Sequence, residues 1–134
     1  MNNYNFSFEK LEVWKIAKEF TISIYRITKG FPKEEQFGLI SQLNRAAISI
    51  VSNLAEGSAR KTNKDKAHFY LLAYGSLMEV TSLLIIAKDL TLINNEKYNK
   101  SREIIAELSN KINALHKFQL NNYTIKQLHE GNPC

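Results

Sequence analysis

The chain has 134 residues, five of them glycine and two proline, which is enough length for one domain with a real core. A net charge of +5 and a pI near 9.3 are compatible with nucleic acid or an acidic partner, but fall well short of a histone-like excess. The single cysteine, Cys134, excludes an internal disulfide framework, and the N-terminus lacks the basic-then-apolar pattern of a secretion signal, so the cytoplasm is the expected compartment.

The predicted elements are all helices. The first spans about 8–29. Ser7 is a good N-cap residue, Phe6 and Leu11 suit a hydrophobic staple, and Val13, Ile16, Ala17, Phe20, Ile24 and Ile27 recur at helical spacing. Gly30 stops it, because Phe31-Pro32 cannot continue a helix comfortably. The second spans about 33–56, with Pro32 at its start, Glu34 and Glu35 in its first turn and Gly57 as a left-handed C-cap. Its apolar residues, from Leu39 through Leu43, Ala46, Ala47, Ile50, Val51 and Leu54 to Ala55, spread over an arc of roughly 200° at about 100° per residue. A helix facing one core needs a stripe only somewhat wider than about 100°. The second helix is therefore expected to be buried twice, once in its own bundle and once against another subunit.

The third helix spans about 63–90, with Thr62 and Asp65 as a capping box in which Asp replaces the usual Glu. Between Ala67 and Ala87 the only Asp, Glu, Lys or Arg is Glu79. That length permits a membrane span, but a charge near its middle costs about 2.5–3.5 kcal/mol on insertion scales, so a buried helix of an oligomer is the better reading and no membrane is expected. The fourth helix spans about 95–119, capped by Asn94 or Asn95, and the segment 121–134 loses its pattern and reads as a loose tail. No repeat, strand-like alternation or linker interrupts the chain, so 1–134 is one all-α domain. Short connections favour an antiparallel up-down-up-down four-helix bundle.

The sequence offers no catalytic group, metal site or cofactor motif. His68, His116 and His129 lie in no zinc-like cluster, and the nearest approach to a di-iron motif, Asp65-Lys-Ala-His68, occurs once. No phosphate-binding glycine loop or Gly-x-Ser-x-Gly elbow is present. Glu56 can pair with Arg60, four residues on. Glu79, in an apolar helix, must find a cation, for which Arg45 is a candidate. Arg45, Ser49, Ser52, Glu56 and Glu79 therefore read as a structural polar network at a subunit contact. Tyr70 and Tyr74, one turn apart, suit packing better than base stacking. The best functional lead is the loop cluster Arg60, Lys61, Lys64 and Lys66, since phosphate contacts need clustered charge rather than special geometry. Further cations, among them Arg26 and Lys29, lie along the first helix.

Ordered motifs span three helices: Phe8-Glu-x-Leu11-x-Val13-Trp14-x-x-Ala17, Phe31-Pro32-x-x-Glu35-x-Phe37-Gly38-Leu39, Gln42-Leu43-x-Arg45-Ala46-Ala47-x-Ser49-Ile50, Asn53-x-Ala55-Glu56-Gly57 and Ala73-x-Gly75-Ser76-x-x-Glu79. This pattern, from Phe8 to about Leu90, resembles the bacterial four-helix bundle family associated with intervening sequences of 23S ribosomal RNA genes. Asn44 and Thr81 depart from it, standing where the family often has an arginine and a second acid. The resemblance implies a cytoplasmic homopentamer around a channel, without catalytic activity, in which Trp14, Tyr25 and Phe37 are packing residues. A related accessory protein of diversity-generating retroelements is a basic pentamer that binds nucleic acid, which by analogy makes RNA or DNA the first expected partner. An adaptor ring that holds another protein, with no nucleic-acid role, is the alternative.

Overall fold

Ser7 does not cap the first helix. In the computed structural model, which describes residues 5–130, Ser7–Lys10 form a 3₁₀ turn and α1 runs over Glu12–Thr28. The turn is closed by the Glu9 carboxylate, which accepts the Phe6 N–H at 2.6 Å. The Ser7 hydroxyl instead lies 3.2 Å from that of Ser58. Val13, Ala17, Phe20 and Ile24 form the buried stripe of α1.

The second helix is entered in stages rather than from Pro32 directly. A 3₁₀ turn covers Lys33–Glu35, a π-helical segment covers Gln36–Ile40, and α2 proper runs over Ser41–Ala59. Gly38, at φ −109° and ψ −109°, breaks the helical backbone between them, a conformation open to glycine. α2 then packs against α1 on one side and α3 on the other. Leu43, Ala46, Ala47, Ile50 and Leu54 are wholly buried by those two neighbours. The wide apolar arc is thus filled mostly within one chain, contrary to the expectation that its second side meets another subunit. Ile48 is the large apolar residue of α2 left exposed.

Gly57 is not a C-cap. It lies inside α2 with no positive φ, and a Cβ there would stand 2.5 Å from Cε1 of Tyr70. The absent side chain lets the buried Tyr70 ring rest on the α2 backbone, and burial pushes the Tyr70 pKa up. The last carbonyls of α2 are served by Lys66, whose Nζ lies 2.8 Å from the Ser58 oxygen and 3.4 Å from that of Gly57.

α3 runs over Asn63–Asp89, its N-terminus held by the Thr62 hydroxyl, which accepts the Asp65 N–H at 3.1 Å. It closes in a Schellman motif, with Leu92 N–H on the Ala87 carbonyl and Thr91 N–H on that of Lys88, both at 2.9 Å. The left-handed position of that motif is Thr91, at φ 59°, where glycine is usual. Asn94 caps α4 by accepting the Lys97 N–H at 2.8 Å. α4 covers Asn95–Glu130, so the part of the expected loose tail from 121 to 130 is helical, and the rest lies outside the described residues.

The described residues form four α-helices and no strands. Phe20, Ile24, Leu43, Ile50, Leu77, Leu84, Leu108 and Ile112 fill the common core. Partner positions fall along α2 as they rise along its neighbours: Ser7 meets Ser58, Thr21 meets Ala47 and Thr28 meets Asn44, while Arg45 meets Glu79 and Ser49 meets Ser76. The α2–α3 and α3–α4 contacts are extensive, whereas α1 and α4 meet only loosely.

Candidate functional site

The basic loop follows from two helix ends meeting, the C-terminus of α2 and the N-terminus of α3, and its four cations divide into two kinds. Arg60 is held by Glu56, at 3.5 Å and one turn back, and its guanidinium lies 4.5 Å from the centre of the Phe69 ring. Lys66 is engaged in closing α2. Lys61 and Lys64 are exposed and form no ion pair among the described residues. Only these two of the four predicted cations present uncommitted charge.

The polar network across α2 and α3 is partly assembled. Arg45 pairs with Glu79, and its Nε and Nη2 also donate to the Gln42 oxygen at 3.3 and 2.9 Å. The pair is half-exposed rather than buried. The Ser49 and Ser76 hydroxyls lie 2.7 Å apart, and Asn53 donates to Ser49 at 3.1 Å. Glu56 stands apart with Arg60, and Ser52 is exposed and makes no side-chain hydrogen bond among the described residues. At the two departures from the family pattern, Asn44 receives the Thr28 hydroxyl at 3.1 Å and Thr81 bonds the Leu77 carbonyl of its own helix at 2.8 Å.

The outer face of α3, whose apolar run the sequence reads as a buried helix of an oligomer, is exposed within the chain. Leu71, Met78 and Ile85 form one exposed apolar row at helical spacing, with Gly75 and Ser82 between them, and Leu72 and Ile86 flank it. α3 is the described helix long and apolar enough to cross a membrane, yet the Arg45–Glu79 pair sits beside this face. Of the aromatic residues read as packing, Trp14 meets the Phe8 ring edge-on at 4.8 Å. Tyr25 is half-exposed, and Phe37 is 90% exposed on the π-helical segment. Tyr70 is buried and Tyr74 packs on the core, so neither is placed to stack bases.

One group of cations escaped the sequence reading. Arg26 of α1 and Lys97 and Lys100 of α4 surround one cavity between those helices. Their separation in sequence hides the cluster; the signal that exists is that the end of α1 and the start of α4 meet at one end of an antiparallel bundle. No group of three His, Cys, Asp or Glu residues suited to a metal occurs among the described residues.

The family model described as 23S rRNA-intervening sequence protein matches residues 9–114. Among solved structures, the chain is similar to a protein of unknown function from the S23 ribosomal protein family of Bacteroides thetaiotaomicron VPI-5482. That likeness has a TM-score of 0.73 at 21% identity and covers 78% of this chain and 98% of the other. Comparison with curated proteins finds no match.

Proposed function

Since the chain belongs to the 23S rRNA-intervening sequence protein family, we propose that it is a non-enzymatic antiparallel bundle that assembles as a cytoplasmic homopentamer and binds structured RNA or DNA. The observation that carries this reading is the apolar outer face of α3. Rows of Leu, Met and Ile separated by Gly and Ser let a second helix approach closely. A neighbouring copy suits this face better than a bilayer, where the flanking Arg45–Glu79 pair is costly to bury. The up-down topology is supported by the falling partner numbers along α2. The subunit number comes from the family resemblance.

Assembly is also what makes the cations effective. Two exposed lysines on one chain attract nucleic acid weakly, but Lys61 and Lys64 repeated around a ring act together. A second reading, an adaptor ring for another protein, is favoured by the exposed Phe37. A salt series on structured RNA and duplex DNA separates the two. The nucleic-acid reading expects salt-sensitive binding, with the slope of log affinity against log salt reduced in a Lys61→Gln/Lys64→Gln variant by about 1 per lysine per copy in contact. An assembly that binds neither at low salt leaves the adaptor.

A further inference from the structure

The loose contact between α1 and α4 leaves a groove along one edge of the bundle, opposite the α2–α3 edge. Its lower parts have mixed rims. Glu12 and Lys111 pair across the first at 3.2 Å, and Lys15, Glu19 and Glu107 surround the second. The upper part is different. There a slot of about 240 Å³ has a floor of Ile27 and Ile104 and is ringed by Arg26, Lys97 and Lys100 with no carboxylate among its lining residues. Ser23 and Ser101 complete it. The Ser23 hydroxyl already bonds the Phe20 carbonyl at 2.7 Å. Ser101 is largely buried, and among the described residues its hydroxyl makes no hydrogen bond. The oxygen itself stays accessible from the slot rather than sealed in the core.

These features define a ligand. The apolar floor disfavours a bare inorganic anion, which gains nothing from Ile27 and Ile104. The three unopposed cations disfavour a neutral hydrocarbon. The Ser101 hydroxyl, which makes no hydrogen bond among the described residues, is free to donate to a ligand oxygen. We propose that this slot binds a small organic anion with an apolar body, a medium-chain carboxylate. The chain lies on the isoleucine floor. The carboxylate is held by Arg26, Lys97 and Lys100 and accepts a hydrogen bond from Ser101. The site lies on the edge away from the apolar face of α3.

Methyl-labelled NMR of the full chain, titrated with octanoate and separately with 1-octanol, tests this directly. The expected result is saturable octanoate-dependent shifts at Ile27 and Ile104, with Ile85 and Ile86 on α3 unmoved, and octanol binding at least about tenfold more weakly for want of the charged contacts. Hexanoate, two methylenes shorter, is expected to bind about tenfold more weakly than octanoate. An Arg26→Gln/Lys97→Gln/Lys100→Gln variant, altered only at exposed positions, is expected to bind octanoate and octanol alike. Ser101→Leu, which fills the slot, is expected to abolish both, with thermal melting confirming that it folds. Three results overturn the proposal: no shift at Ile27 or Ile104 at millimolar octanoate, equal affinity for octanol in the unmodified chain, or shifts confined to Ile85 and Ile86.

Discussion

The two long edges of this bundle are built on opposite principles. At the α2–α3 edge the helices approach until only small groups fit. Gly57 takes the Tyr70 ring on its backbone, Ser49 meets Ser76, and Arg45 reaches Glu79. At the α1–α4 edge the helices stand apart, joined by the Lys111–Glu12 pair over a run of cavities. The outer surfaces follow suit. Beside the tight edge α3 presents Leu71, Met78 and Ile85, whereas the open edge is rimmed by charge. Close internal packing therefore coincides with an apolar outer surface, and loose packing with charge-rimmed grooves that have apolar floors. The apolar face and the charge-rimmed groove thus lie on separate edges of one fold.

This contrast is sharpest in the response to substitution. Gly57→Ala places a methyl group against a ring that cannot retreat within a filled core, and is expected to cost about 3 kcal/mol in urea unfolding. A loss below about 0.5 kcal/mol would mean that the tight edge relaxes easily and the contrast fails. Thr91→Gly tests the turn joining a helix of the tight edge to one of the open edge. Relieving a β-branched residue of its left-handed backbone is expected to stabilise the chain by about 1 kcal/mol, seen as a raised melting temperature. At the open edge, Lys111→Met removes an exposed ion pair and is expected to change stability by less than about 0.5 kcal/mol. A larger loss would show that this edge is held more firmly than its cavities suggest.

How far the sequence carries depends on whether a signal is local. Helical periodicity, the Thr62 and Asn94 caps, the Glu56–Arg60 pair and the Arg45–Glu79 pair were all legible, because each rests on residue type at fixed spacing or on a charge that needs a partner. Gly57 was misread because a glycine near a helix end looks the same whether it turns the chain or admits a ring, and Tyr70 arrives from another helix. Apolar excess is legible on both α2 and α3, but large apolar side chains remain exposed mainly on α3. Periodicity reports how much of a helix is apolar, not which neighbours cover it, and α2 has two neighbours within the chain. The basic loop was legible as charge, while the engagement of Arg60 and Lys66 was not, since it depends on Phe69 and on the closing carbonyls of α2. The cluster of Arg26 with Lys97 and Lys100 is invisible until α1 and α4 are placed side by side.

On the proposed function, the outer face of α3 is covered by further copies of the chain. Sedimentation equilibrium over a wide concentration range tests it most directly, run on the chain as it is and with Leu71→Glu and Met78→Glu together. The expected result is one closed assembly at five times the 15.4 kDa chain mass, reduced to monomer by the paired substitutions while helicity is retained. A monomer at every concentration, or an assembly that the two glutamates leave intact, would contradict it.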